Sequence, residues 1–178
     1  MTALEEYLEH SGVKGMKWGV RRARNAMAVS SSKKAEKSLK SQGVLSALRK
    51  KTTEISDKVT GDGTSGTRNV IGTGIHQASK ISLNKSDKKA NETNYHASIK
   101  VAKAIKRNDK YSAKLAKKAS KSPKAAADAK AWEAYSKSYK SRALKQSAKT
   151  SSEYAKIAND RQALFNTRNE TIKRVNNN

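Results

Sequence analysis

The sequence predicts an all-α protein: extended, helix-rich, with a C-terminal pair of long helices and a thin core, and partly disordered or ordered by its partners. Three observations lead there. Apolar residues recur at steps of three and four along much of the chain, the spacing of one helix face. Ala, Lys, Glu, Gln and Arg dominate the C-terminal region, and nothing after Pro123, the one proline, breaks a helix there. No stretch alternates strictly between apolar and polar residues, so no strand is expected. The core should be thin because only 35% of 178 residues are hydrophobic, many of them alanine, and Phe165 is the single phenylalanine. At roughly 25 cal/mol per Å² of apolar surface buried, so little bulk does not readily offset an ordering cost of roughly 1–2 kcal/mol per residue.

Four segments follow in order. Residues 1–22 read as an N-terminal attachment segment. In it, Leu4, Tyr7 and Leu8 fall at helical spacing among Glu5, Glu6 and Glu9, with Thr2 and Glu5 forming a capping box. Gly12, Gly15 and Gly19 then favour a tight loop or compact turn over 11–22. Residues 23–60 form a basic, loosely helical arm with Leu39, Leu45, Leu48, Ile55 and Val59 as its apolar positions. It starts loosely at Ser30, Ser31 and Ser32 and is interrupted at Gly43. Residues 61–85 are a Gly-rich linker, since 61–75 hold five of the nine glycines.

Residues 86–178 form a C-terminal helical region with a break near Pro123. Ser86 offers an N-cap, and Tyr95, Ile99, Ala102 and Ile105 make a stripe that Tyr111 and Leu115 extend. Ser122 caps a new helix with Pro123 in its first turn. Trp132, Tyr135 and Tyr139 step by three and four, and Tyr154, Ile157, Leu164, Phe165, Ile172 and Val175 continue the face. The two long segments around Pro123 suit a helical hairpin. The terminal asparagines should fray. No internal repeat of fixed period emerges, only recurring Ala/Lys/Ser-rich composition.

Charge is the strongest functional signal. Lys and Arg number 39 against 15 Asp and Glu, for a net charge of +24 and a pI near 10.3. Such a chain repels itself until a polyanion compensates it. Nucleic acid comes first, an anionic membrane second and an acidic protein surface third; the bland alternative is a solvated surface with no dedicated partner. Candidate phosphate contacts begin with Lys33, Lys34, Lys37 and Lys40, followed by Arg49, Lys50 and Lys51. Lys100, Lys103, Lys106, Arg107 and Lys110 recur at steps that place them on one helix face, and Lys114, Lys117 and Lys118 extend it. Lysine tracks phosphates as a point charge, so binding should be non-specific in sequence and sensitive to salt. Trp132, Tyr135 and Tyr139 have the rings to stack on bases, but their spacing favours helix packing.

Catalytic and metal chemistry find no constellation. The absence of cysteine removes disulfides and thiolate ligands or nucleophiles. His10, His76 and His96 lie far apart, without metal-ligand spacing. Gly61, Gly63 and Gly66 match a G-x-G-x-x-G string, yet a polar stretch precedes them where a nucleotide site needs a hydrophobic strand. The acids are dispersed. Serine stands in no nucleophile context, so no catalytic residue, cofactor or metal is expected. No run of 18 apolar residues spans a membrane, and the acidic start is not a secretory signal.

His10-Ser-Gly-Val-Lys-Gly-Met-Lys-Trp-Gly-Val-Arg-Arg22 resembles a short motif, roughly H-x-G-V-K-G-M-K-W-G-V-R-R, that recurs in virion and head-module proteins of tailed phages and prophages of Gram-positive hosts. The resemblance covers 10–22 and implies a phage-particle context, with the virion head as location and the host cytoplasm during assembly. It brings no fold and no reaction. Physically the segment reads as a docking element: Leu4, Tyr7, Leu8, Val13 and Met16 supply apolar contact, and Trp18 an amphipathic anchor. Arg21 and Arg22 suit carboxylate or phosphate. The competing reading is an internal cap in which Trp18 packs on the protein's own helices. The expectation is therefore a non-enzymatic minor head or internal virion protein, touching capsid or portal proteins and packaged DNA, and able to associate with further copies of itself. A capsid- or portal-junction protein that binds acidic surfaces and no DNA is the first alternative. An ejected effector acting on host DNA or membrane is the second.

Overall fold

The computed structural model describes residues 13–60 and 66–176. Three long helices account for nearly all of them: α1 is Val13–Thr60, α2 Gly66–Ala119 and α3 Pro123–Asn176. Among the described residues only 120–122 are non-helical, and there is no strand. The all-α expectation, with long C-terminal helices, is met.

The turn before α3 has the predicted chemistry. Ser122 Oγ accepts the Ala125 backbone N–H at 3.2 Å, and the Ser122 carbonyl accepts that of Ala126 at 3.1 Å. Ser122 is thus the N-cap and Pro123 occupies the first helical position, where its missing N–H costs nothing.

Elsewhere the helices begin earlier than expected. The compact turn foreseen in 11–22 is helix from Val13, and the linker foreseen over 61–85 is helix from Gly66. Ser86 lies inside α2 rather than capping it, and α1 runs unbroken through Ser30–Ser32 and Gly43. Each glycine costs roughly 1 kcal/mol against alanine in a helix interior. A helix already nucleated on both sides propagates through such a position, because one more hydrogen bond is gained per residue fixed.

Gly43 gives this a test. A Cβ built there would meet only Ile157 Cγ1, at 3.9 Å, an ordinary van der Waals distance. Gly43→Ala should therefore stabilise the protein by about 0.5–1 kcal/mol, read as a higher urea midpoint.

The described residues group into two compact units, one from Met1–Lys34 and His96–Ala148, the other from Ala35–Tyr95 and Lys149–Asn178. Each unit takes a part of all three helices rather than one consecutive segment. In the first unit Ala28, Val101, Ala104, Tyr139 and Ala143 form the buried cluster, with Val29, Ile105 and Tyr135 against it. In the second, Leu39, Ala90 and Ile157 are buried and Tyr154 packs on them. Both cores are thin, and alanine supplies much of each.

The buried positions nonetheless step with strict regularity. On α1 they are Asn25, Ala28, Ser32, Ala35, Leu39 and Ser46; on α3 they are Trp132, Ser136, Tyr139, Ala143, Gln146, Thr150, Ile157 and Leu164. Ala97, Val101, Ala104 and Asn108 do the same on α2. Steps of three and four keep one narrow seam of each helix facing its neighbours, the spacing of coiled-coil packing. This seam differs from the faces anticipated above. Tyr95, foreseen on the stripe of α2, is exposed, as are Leu45, Leu48 and Ile55 on α1.

Polar seam residues are paired across helices. In the first unit Asn25 Nδ2 donates to Asn108 Oδ1 at 2.9 Å and to the Tyr135 hydroxyl at 3.3 Å. In the second, Ser151 Oγ donates to Asn94 Oδ1 at 3.2 Å, and Arg161 donates to Asp87. A buried Asn pair satisfies itself in one alignment only, so these contacts fix register more than they add stability.

Some seam groups are buried without a partner, among them Ser46 Oγ, the Trp132 indole N–H and the Tyr139 hydroxyl. Burial, reinforced by Tyr135 nearby, pushes the pKa of Tyr139 up to about 12 from an ordinary 10.0. The folded state holds the phenolic proton more tightly than the unfolded chain does. The associated stability is complete below pH 10 and is lost as pH rises through about 12. Ultraviolet titration should show one tyrosine ionising late, and Tyr139→Phe should remove that late step.

Candidate nucleic-acid interface

The predicted phosphate contacts occupy the outer faces of the helices. In the first unit Lys33 and Lys34 on α1 are exposed, together with Lys100, Lys103, Lys106, Arg107, Lys110, Lys114, Lys117 and Lys118 on α2. In the second unit Lys37, Lys40 and Lys51 are exposed, whereas Arg49 and Lys50 are half-buried. The seam explains this placement. Where small residues such as Ala97, Ala104 and Ala28 bring helices together, long lysine side chains have only the outward positions.

Few of these cations are neutralised. Lys40 pairs with Glu36 one turn earlier, at 2.7 Å, and that hydrogen bond and charge raise its pKa. Lys50 reaches Asp160 at 3.8 Å. Lys100 donates to Ser31 Oγ at 3.3 Å, which leaves its charge uncompensated. Lys103, Lys106, Arg107 and Lys110 stand in none of the ion pairs among the described residues. The result is a concentration of unpaired positive charge on α2, able to hold an anionic backbone by its phosphates.

The sequence reading named no lysine of α3, and the structure adds several. Lys130, Lys137, Arg142, Lys145 and Lys149 are all exposed. Their spacing in the sequence already sets them off the Trp132, Tyr139 and Ala143 face. Those aromatics pack inward. Trp132 is fully buried and Tyr139 nearly so, so neither is placed to stack on a base. Trp132 and Tyr139 therefore do not serve as the stacking platform of a single-strand binder.

The motif segment divides in two. Leu4, Tyr7 and Leu8 lie outside the described residues. Val13 and Met16 belong to α1, but their side chains lie outside the described set. Trp18 packs edge-on against Trp132, ring centroids 5.1 Å apart at 72°. Tyr111 approaches the same indole from another side at 4.8 Å and 90°, and Tyr135 lies 5.1 Å from it. The Arg21 guanidinium sits 3.8 Å above the Tyr111 ring, and that of Arg22 lies 4.8 Å from Tyr135 and 5.5 Å from Trp18.

Trp18, Arg21 and Arg22 thus make contacts within their own unit. They join the aromatic cluster around Trp132, the packing that the internal-cap reading describes. The physical reason is the preference of edge-to-face rings and stacked guanidinium groups for one another over water.

Among the described residues, no group of three or more His, Asp and Glu side chains is placed to hold a metal ion. No described helix is long and apolar enough to cross a membrane.

Comparison with known proteins reaches only the N-terminal end. The family described as "Family of unknown function (DUF7211)" matches residues 1–25, which include the whole of the 10–22 motif. No curated protein and no solved structure matches the chain.

Proposed function

We propose that this is a non-enzymatic structural protein of a tailed-phage particle, a minor head or internal component, that holds packaged DNA by its phosphates. The observation that carries the DNA contact is the set of exposed, unpaired cations on α2, within a chain of net charge +24. Lysine predominates, and no buried aromatic is free to read or stack on bases, so the proposed binding ignores sequence. The phage context is supported by the resemblance at 10–22 alone. Capsid or portal proteins are the proposed protein partners.

The test is filter binding of the purified chain to unrelated duplexes at low salt. Similar affinity for AT-rich and GC-rich DNA supports the proposal. Retention of only one sequence class, or of none, rejects it. In the latter case binding to an acidic capsid or portal surface becomes the better account.

A further inference from the structure

α1 carries an apolar stripe that its own fold does not use. Val44, Leu45, Leu48 and Ile55 are 63%, 52%, 56% and 63% exposed. Val44, Leu48 and Ile55 fall on one face of the helix, opposite the seam residues Leu39 and Ser46. Single exposed apolar residues are ordinary, but four within 12 helical positions make a patch that water does not favour. Exposed lysines share that face: Lys37, Lys40 and Lys51. The complementary ligand is therefore an acidic amphipathic segment.

One such segment belongs to the chain itself. Residues 1–10 hold Leu4, Tyr7 and Leu8 at helical spacing with Glu5, Glu6 and Glu9, and contain no Lys or Arg. In a protein of net charge +24, this is the stretch that a second copy could bring close without repulsion. The stripe begins roughly 30 helical residues beyond the end of this segment, more helix than about 12 residues can span back along even when extended.

We infer that the stripe of α1 receives the N-terminal segment of a second copy, with Leu4, Tyr7 and Leu8 on the apolar residues and the glutamates facing Lys37, Lys40 and Lys51. The contact joins two different surfaces of the chain, so it closes by reciprocal exchange of segments between two copies or continues as a ring or filament. It assigns residues 1–10 to self-assembly and draws on Lys37, Lys40 and Lys51, which are also candidate phosphate contacts, whereas the cations of α2 stay outside it.

The experiment is light scattering on nuclease-treated protein, with three variants beside it: deletion of 1–12, Glu5→Lys/Glu6→Lys/Glu9→Lys, and Leu48→Glu. Leu48 is exposed, and circular dichroism checks that each variant keeps its helical content. The full chain should rise above its monomer mass of 19.5 kDa with concentration. Each variant should weaken that association by about tenfold or more. Amine cross-linking of mixed light and heavy-isotope chains should join Met1 of one copy to Lys40 or Lys51 of another. A monomer at every concentration overturns the inference. So does assembly that survives deletion of 1–12, or cross-links confined to single chains.

Discussion

Trp132→Ala should destabilise the protein by about 3–5 kcal/mol, the usual cost of truncating a buried aromatic. Trp132 is fully buried and meets Trp18, Tyr111 and Tyr135 edge-on or tilted. Trp18, Tyr111 and Tyr135 all pack on this one indole, so its removal takes away the contact that the three share. Stability on this scale is comparable to that of a small domain. The expected readout is a first-unit transition that moves to much lower urea, with near-ultraviolet circular dichroism disappearing before far-ultraviolet signal. Trp132→Phe should cost distinctly less. It keeps most of the ring packing and removes an indole N–H that is buried without a partner. Equal losses in the two variants would mean that the aromatic cluster is not what holds the first unit together.

The second large effect concerns the basic face. Replacing Lys100, Lys103, Lys106, Arg107 and Lys110 together with Gln should leave folding nearly unchanged. All five are exposed, and Gln matches Lys in helix propensity. DNA affinity should fall steeply, by roughly tenfold near 0.1 M salt for each phosphate that is no longer neutralised. The salt dependence should become shallower by about 0.9 for each such phosphate. The same number of substitutions on α3, at Lys130, Lys137, Arg142, Lys145 and Lys149, measures whether that helix shares the load. Unequal decreases would locate the DNA track. Unchanged affinity in both variants would move the nucleic-acid interface elsewhere or remove it.

Fold class was legible because helix propensity and three-four spacing act locally. The packing face was less so. The sequence reading followed bulky apolar residues, whereas the seam is written in small and polar ones: Asn25, Ala28, Ser32 and Ala35 on α1, Ala97, Ala104 and Asn108 on α2. A heptad built of Ala, Ser and Asn has almost no hydrophobic contrast with its surroundings. Leu45, Leu48 and Ile55 have such contrast and face outward. The helix starts were misplaced for a related reason. Glycine at 15, 19, 66 and 72 raises the local cost of helix, but propagation from a long nucleated neighbour overrides it.

The basic surface was legible from composition, since +24 needs no fold to be read. The internal role of Trp18, Arg21 and Arg22 was not. A Trp beside two arginines looks the same in sequence whether its partner is another protein or its own Trp132. Only the meeting of α1, α2 and α3 in one unit distinguishes the two.

The central claim is that unpaired lysines hold DNA by its phosphates, and its most direct test is the slope of binding against salt for the unmodified chain. With about 6–10 phosphates neutralised, the association constant should fall by roughly 10³–10⁵ between 50 and 200 mM salt, linearly on logarithmic axes. A flat dependence, or no retention of DNA at 50 mM, would contradict the account.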